Sequence, residues 1–518
     1  MKILHTDCLV IGAGLAGSAY ALRAARSALS VELLSLSEPL AANSDWAQGG
    51  IIYDTTTDPQ ALARDIFAAS DRTANPAAVE HLVREGPRAV EELLLDELHV
   101  GFDRSAAGEL DLTREGGHSA RRIIHAKDAT GHAILSAVAA RVDATPQISR
   151  RAGWVAIDLL TLSHNSDDLA DRYQPLTCFG AYVLDTSTGE TVAIVAKKTI
   201  LATGGLGQIF LHTTNVPGSV GHGVAMAYRV GARLIDLEYV QFHPTVFAKK
   251  NAARFLITEA LRGEGAVLLN ARGERFMDAV DPRGSLASRD VVARAIKQEL
   301  AASGEPHALL DLSAMTPEFI RDRFPTIYER CRENGLDITR EPIPVVPAAH
   351  FACGGVHADL SGRTSVRHLN AIGETGCTGL HGANRLASTS LLECLVSAKF
   401  AALADAAEIE RDTFRLPDPR EWESPTREAD PVLIRQDMLQ IQHTMWNYAG
   451  VVRSPKRLTR ARRILLELRE EIQSFYRGCR LTRELIELRN AIQTALLVVH
   501  AASLNPRSKG SHYVVEEA

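Results

Sequence analysis

The chain has 518 residues, 46% of them apolar, enough for several buried cores and, at that length, about three domains. Its 57 basic and 63 acidic residues leave a net charge of −6, which argues against a polyanion-binding surface and against nucleic acid as a partner. No apolar run approaches the roughly 20 residues that span a bilayer, and Met1 to Asp7 lacks the apolar stretch of a secretory signal, so a cytoplasmic protein is expected.

In chain order, Cys8-Leu9-Val10-Ile11 reads as a short strand that runs into Gly12-Ala13-Gly14-Leu15-Ala16-Gly17. Ala16 to Arg26 follows as a helix and Val31 to Leu36 as a second buried strand, the βαβ opening of an α/β protein with a parallel, doubly wound sheet. In that setting the glycines allow a tight turn and close backbone approach, and the helix start offers free N–H groups to a pyrophosphate. The acid that usually holds the adenosine ribose is absent: Ser35 stands at the end of the second strand and Glu32 lies too early in it. The motif alone therefore leaves FAD and NAD both open.

Ile194 to Leu201 reads as another strand, ending in the glycine-rich Ala202 to Gly207, and this alternation is expected to continue to about residue 236. Between 237 and 351 Pro and Gly interruptions suggest an inserted unit, and sheet-like signals return at Cys353-Gly354-Gly355-Val356 and Ile372-Gly373-Glu374. Beyond Pro417 the pattern turns helical, with Ile464, Leu465, Leu468, Ile472 and Phe475 at helix spacing. The basic cluster Arg453, Lys456, Arg457, Arg460, Arg462 and Arg463 reads as a solvated helix face. Seven scattered cysteines form no C-x-x-C pair, so buried reduced thiols are expected, with no disulfide framework and no metal site.

Asn43-Ser44-Asp45-Trp46-Ala47-Gln48-Gly49-Gly50-Ile51 is a polar, glycine-rich turn that a nicotinamide dehydrogenase does not need. It resembles the A-Q-G-G-I segment of the succinate dehydrogenase and fumarate reductase flavoprotein family, where that segment wraps the isoalloxazine. Membrane-bound members attach FAD through a histidine just before it. Here Asn43, Ser44 and Asp45 occupy those positions, which implies non-covalent FAD. The cofactor residues implied are Gly12, Ala13, Gly14, Leu15, Ala16, Gly17, Ser35, Leu36, the run Asn43, Ser44, Asp45, Trp46, Ala47, Gln48, Gly49 and Gly50, then His222, Glu374, Ser390 and Leu391. His222 departs from the family, which carries Gly-Asp-Gly where this chain has Gly221-His222-Gly223; an imidazole there is expected to titrate near neutral pH.

Further segments resemble the L-aspartate oxidases within that family: Thr113-Arg114-Glu115-Gly116-Gly117-His118-Ser119, Gln241-Phe242-His243-Pro244-Thr245, Ser288-Arg289-Asp290 and Pro347-Ala348-Ala349-His350. So do Leu256 to Gly265, Gly379 to Arg385, Ser390 to Val396, Met445-Trp446-Asn447-Tyr448 and Glu487-Leu488-Arg489-Asn490. The resemblance implies that His243, Thr258 and Gln241 hold the side-chain carboxylate of aspartate, and that His350 and Arg385 hold the α-carboxylate. Arg289 matches the proton-transfer arginine; an arginine ordinarily binds anions because its pKa exceeds about 12, and crowding by other cations makes loss of its proton less costly. Glu115 is the discriminating residue, because a carboxylate can receive an α-ammonium group that succinate and fumarate lack.

The resemblance thus implies a Rossmann-like FAD-binding domain (1–236 and 352–416), an inserted α+β capping domain (237–351) and a C-terminal helical domain (417–518). It implies oxidation of L-aspartate to iminoaspartate with O₂ or fumarate as acceptor, a product passed to quinolinate synthase in NAD biosynthesis, and a monomer or homodimer. The alternatives are a soluble fumarate reductase or succinate dehydrogenase-like enzyme, and a flavin-binding subunit without turnover.

Overall fold

The computed structural model describes residues 1–37, 41–54, 58–249 and 254–516. Strand Lys2–Ile11 becomes fully buried over its last four residues, as a central parallel strand covered on both faces must. It enters the glycine loop and helix Leu15–Arg26, and strand Val31–Ser35 returns parallel to it. The sheet runs Ile148–Ala152, Val31–Ser35, Lys2–Ile11, Glu190–Leu201, Cys178–Asp185, Trp154–Thr161, with Leu369–Ala371 beside the carboxyl end of Glu190–Leu201.

The parallel sheet expected at the glycine loop is present, and antiparallel strands extend it. Trp154–Thr161, Cys178–Asp185 and Glu190–Leu201 pair antiparallel. The turn between Asp185 and Glu190 is too short for the dozen or so residues of a parallel crossover, so the chain must double back. The sheet is parallel around the glycine loop and an antiparallel meander beyond it.

Strands Val240–Phe247, Ile343–Ala352, Ala308–Asp311 and Val267–Leu269 form a separate antiparallel sheet, on which helix Arg289–Ser303 packs. Phe247, Ile257, Leu261, Val292, Ile296 and Val345 give this α+β unit its own core. Helices Pro431–Tyr448, Pro455–Gly478 and Arg483–Leu504 pack on one another. In the middle helix Leu458, Ala461, Leu465, Leu468 and Ile472 are buried at alternating steps of three and four, the apolar stripe that drives such packing. Ile441, Leu465, Leu488 and Val498 share one core with Val155, Ile157, Phe179 and Val195 of the antiparallel half of the first sheet. Lys456, Arg457, Arg460, Arg462 and Arg463 are exposed as expected, but Arg453 is fully buried. The cysteines are free, and all but the half-buried Cys394 are buried.

Candidate active site

A cavity of about 1670 Å³, including the open solvent at its mouth, starts at the glycine loop. It passes Ser35 and Leu36 at the end of the second strand, follows the Asn43–Gly50 turn, and ends among Glu115, His243, Thr258, Arg289, His350 and Arg385. The cradle fits a dinucleotide by its glycines. Gly12 has φ +116°, and a Cβ there would strike the Ala202 carbonyl oxygen. A Cβ at Gly17 would strike the Gly12 carbonyl, so this glycine seats helix Leu15–Arg26 against the loop. Gly14 differs: its nearest neighbour would be Ser44 Oγ at 3.6 Å, so its face is open toward the cavity. Ser44 Oγ accepts from Leu15 N (3.2 Å) and so ties the Asn43–Gly50 turn to the helix start.

Most of the residues named from sequence line this cavity: Gly12, Ala13, Gly14, Leu15, Ala16, Ser35, Leu36, Asn43, Ser44, Trp46, Ala47, Gln48, Gly49, Gly50, Glu374, Ser390 and Leu391. Gly17, Asp45, His222 and Gln241 are outside its lining. Gly17 is buried in the helix start, and Asp45 pairs with His132 at 2.9 Å.

His222 is held by the C-terminal helix. Arg229 Nη1 donates to Asn490 Oδ1 (2.8 Å), which fixes the amide so that Asn490 Nδ2 donates to His222 Nδ1 (2.8 Å). The ring proton is therefore on Nε2. Burial, with Arg483 and Arg229 nearby, pushes His222 down to about 4. The expectation of titration near neutral pH is corrected: the ring stays uncharged there.

At the far end Arg289 donates through Nε to Glu259 Oε2 (2.6 Å) and through Nη1 to Gln241 Oε1 (3.0 Å). Burial pushes the Glu259 carboxyl up, but Arg289 and Arg262 outweigh it and hold the group below its usual range. Gln241 Nε2 donates to Asn384 Oδ1 and to the Arg385 carbonyl, both at 2.8 Å. Both of its amide hydrogens are thus spent on the protein, and Gln241 braces Arg289 against the Arg385 segment.

Arg385 Nη2 donates to His350 Nε2 (3.1 Å), so His350 carries its proton on Nδ1, facing Thr214 Oγ1 at 2.7 Å. Burial, then Arg385 and Arg289, keep His350 neutral, and burial with Arg289 and His350 does the same for His243. The backbone of Thr245 occupies His243 Nδ1, leaving Nε2 for a ligand. Burial and the Arg289 charge lower Arg385 to about 10, its Nε has no partner among the described residues, and the Phe351 ring lies 4.1 Å away. Thr258 caps helix Glu259–Gly263, its hydroxyl accepting from Ala260 N at 3.3 Å.

Glu115 is buried, and Ser388 Oγ donates to its Oε2 at 2.5 Å. Burial and neighbouring Glu259 raise this carboxyl, Arg289 opposing. Gly49 leaves room for it, since a Cβ there would overlap Glu115 Oε1. Glu374 accepts from Ala352 N (2.9 Å), and burial lifts it to about 7.

Glu259, Ser388 and Thr214 escaped the sequence reading. Glu259 lies inside a segment singled out there, but its pairing across to Arg289 is tertiary. Ser388 has φ +58°, an unusual backbone for a serine, and no local pattern announces it.

A family model described as FAD binding domain matches residues 7–391, and one described as fumarate reductase flavoprotein C-term matches residues 438–517. L-aspartate oxidase 1 of Ralstonia nicotianae is 44% identical over 515 residues, covering 98% of this chain and 95% of that protein. L-aspartate oxidase of Pseudomonas aeruginosa is 43% identical, covering 98% and 95%. An Escherichia coli quinol fumarate reductase chain superposes with TM-score 0.88 at 26% identity, covering 100% of this chain and 92% of that one. FAD is the cofactor this fold and cradle serve, and the chain belongs to the L-aspartate oxidase family of FAD-binding flavoproteins.

Proposed function

We infer that the chain oxidises L-aspartate to iminoaspartate. The observation that carries this reading is Glu115. It lines the reacting end of the cavity, is buried, and among the described residues has no cation within ion-pair distance, its partner being the Ser388 hydroxyl. A buried carboxylate of this kind calls for a cationic ligand group. Its neighbours Arg385, His243 and Thr258 call for carboxylates. An α-amino dicarboxylate answers both demands; succinate answers one.

In this reading Arg385, oriented by His350, holds the α-carboxylate, His243 and Thr258 hold the side-chain carboxylate, and Glu115 holds the ammonium. FAD bound along the glycine loop supplies the hydride acceptor for the Cα hydrogen. Glu115, its carboxyl already raised by burial, takes the nitrogen's proton as the C=N bond forms. Arg289 pairs with Glu259 where both line the cavity, and moves the proton when fumarate is the substrate. Holding Cα against the acceptor from both carboxylate ends supplies the orientation on which hydride transfer depends.

O₂ and fumarate are the acceptors we propose, with quinolinate synthase consuming the imine. No helix among the described residues is long and apolar enough to cross a membrane, which suits a cytoplasmic enzyme. The second reading, a soluble fumarate reductase, is favoured by the likeness to quinol fumarate reductase. Mixing the yellow protein anaerobically with L-aspartate, D-aspartate or succinate decides between them. Bleaching by L-aspartate alone supports the first reading, bleaching by succinate alone the second, and bleaching by none defeats both.

A further inference from the structure

The described C-terminal tail touches the segments that carry Arg289, Arg385 and His243 without entering the reacting end. Ser511 donates twice to the Ala383 carbonyl, from N at 2.9 Å and Oγ at 2.8 Å, two residues before Arg385. Arg294, on the helix that begins with Arg289, donates to the Gly510 carbonyl (3.1 Å), packs 5.0 Å from the Tyr513 ring and pairs with Asp290 at 2.9 Å. Asp290 in turn accepts from Asn384 Nδ2 at 3.3 Å. Asn505 Nδ2 donates to Glu238 Oε1 (2.9 Å), just before the strand that carries Gln241 and His243.

The tail is itself anchored by a buried cation. Arg453 is 0% exposed and donates to the Glu238 carbonyl (2.7 Å) and to His512 Nδ1 (2.6 Å), whose Nε2 then donates to the Asn505 carbonyl (2.8 Å). A fully buried guanidinium is costly unless its surroundings are fixed to receive it, so this anchor holds the tail in one place. Gly510, at φ +48°, lets the chain pass against Ala383, where a Cβ would lie 2.5 Å from the carbonyl oxygen.

We propose that residues 505–515 are a positioning strap that sets the spacing between Arg289 and Arg385, with Arg294 and Ser511 as its working contacts. Arg289 rides on the α+β unit, and Arg385 on the segment leading into helix Thr389–Arg411. A dicarboxylate spans Arg385 and the His243 and Thr258 that share the α+β unit with Arg289, so a small change in the spacing of the two arginines weakens its grip and displaces Cα. This rests on the reading of the site as a dicarboxylate site.

The test compares wild type with Arg294→Ala, Ser511→Ala, the conservative Arg294→Lys, and a chain ending at Leu504. Three quantities are read: FAD affinity by quenching of flavin fluorescence, succinate affinity from the visible spectrum of bound flavin, and KM and kcat for L-aspartate. The strap predicts FAD affinity within about twofold of wild type in all of them. It predicts KM for aspartate and Kd for succinate raised about tenfold in Arg294→Ala and the shortened chain, part of the loss restored by Lys, and kcat falling less than KM rises. Unchanged KM and succinate Kd in both alanine variants overturns it, as does a loss of FAD affinity equal to the loss for succinate. Should the shortened chain not fold, the alanine variants decide. A wild type that binds succinate but leaves aspartate untouched defeats the aspartate reading and leaves the strap to the succinate measurement.

Discussion

The two ends of the cavity are built by different means. At the dinucleotide end the important atoms are backbone: Gly12 and Gly17 are glycines because a methyl would strike a carbonyl oxygen, and Gly14 is one beside open space. At the reacting end they are polar and ionisable side chains from residues 115, 243, 258, 289, 350 and 385. The first end can be written within six consecutive residues, since a turn and a helix start are local objects. The second exists only once the α+β unit lies over the parallel sheet. A substitution should therefore damage cofactor binding at one end and substrate handling at the other.

Arg289→Leu should separate the two ends most sharply. Aspartate oxidation and fumarate reduction should both fall by at least about 10³-fold in kcat, while FAD stays bound. Loss of flavin in this variant would erase the distinction; near-normal turnover would remove Arg289 from the chemistry. Gly12→Ala is the mirror case. Strain at φ +116° and the clash with Ala202 should leave a protein that does not retain FAD on gel filtration, whereas Gly14→Ala, with room for a methyl, should keep a measurable fraction. Equal flavin loss in both variants would mean that general crowding, not the Gly12 turn, controls the site.

Glu115→Gln comes next. A charge-assisted contact is worth about 1.5–3 kcal/mol, so kcat/KM for aspartate should drop about 10- to 100-fold while fumarate reduction changes little. The pH profile carries the same signature. The Glu115 carboxyl is raised, so aspartate binding should weaken as pH falls through that raised value, and Glu115→Gln should flatten the acid limb. Equal loss of both activities would make Glu115 a structural residue.

The same contrast governs what the sequence discloses. The glycine loop, its flanking strand and helix, and the Asn43–Gly50 turn are legible because each is a local geometric demand. The polar residues of the reacting end are legible as residues but not as contacts: Gln241 reads as a substrate ligand, and its hydrogen bonds to Arg289, Asn384 and the Arg385 carbonyl are tertiary. The antiparallel half of the sheet is not legible in the sequence, because a buried strand reads the same whichever way its neighbour runs. The tail looked unremarkable, its role being visible only in what Arg294 and Ser511 touch.

His222 tests the dinucleotide end with the smallest effect. A family aspartate replaced by histidine suggests a change in flavin affinity that depends on pH, but the ring lies outside the cavity lining and receives its hydrogen bond from Asn490. His222→Asn should shift FAD affinity by less than about threefold, and wild-type affinity should show no inflection near pH 6.5. The ring matters for stability instead. Its folded pKa of about 4 lies below the unfolded value of 6.5, so the folded state binds fewer protons. Its contribution is full above pH 6.5 and is lost as pH falls toward 4, by about 2 kcal/mol at pH 5. Thermal midpoints at pH 7 and pH 5 should therefore drop further in wild type than in His222→Asn. A drop of the same size in both, or an FAD affinity that follows His222 protonation, would place the imidazole in contact with the cofactor after all.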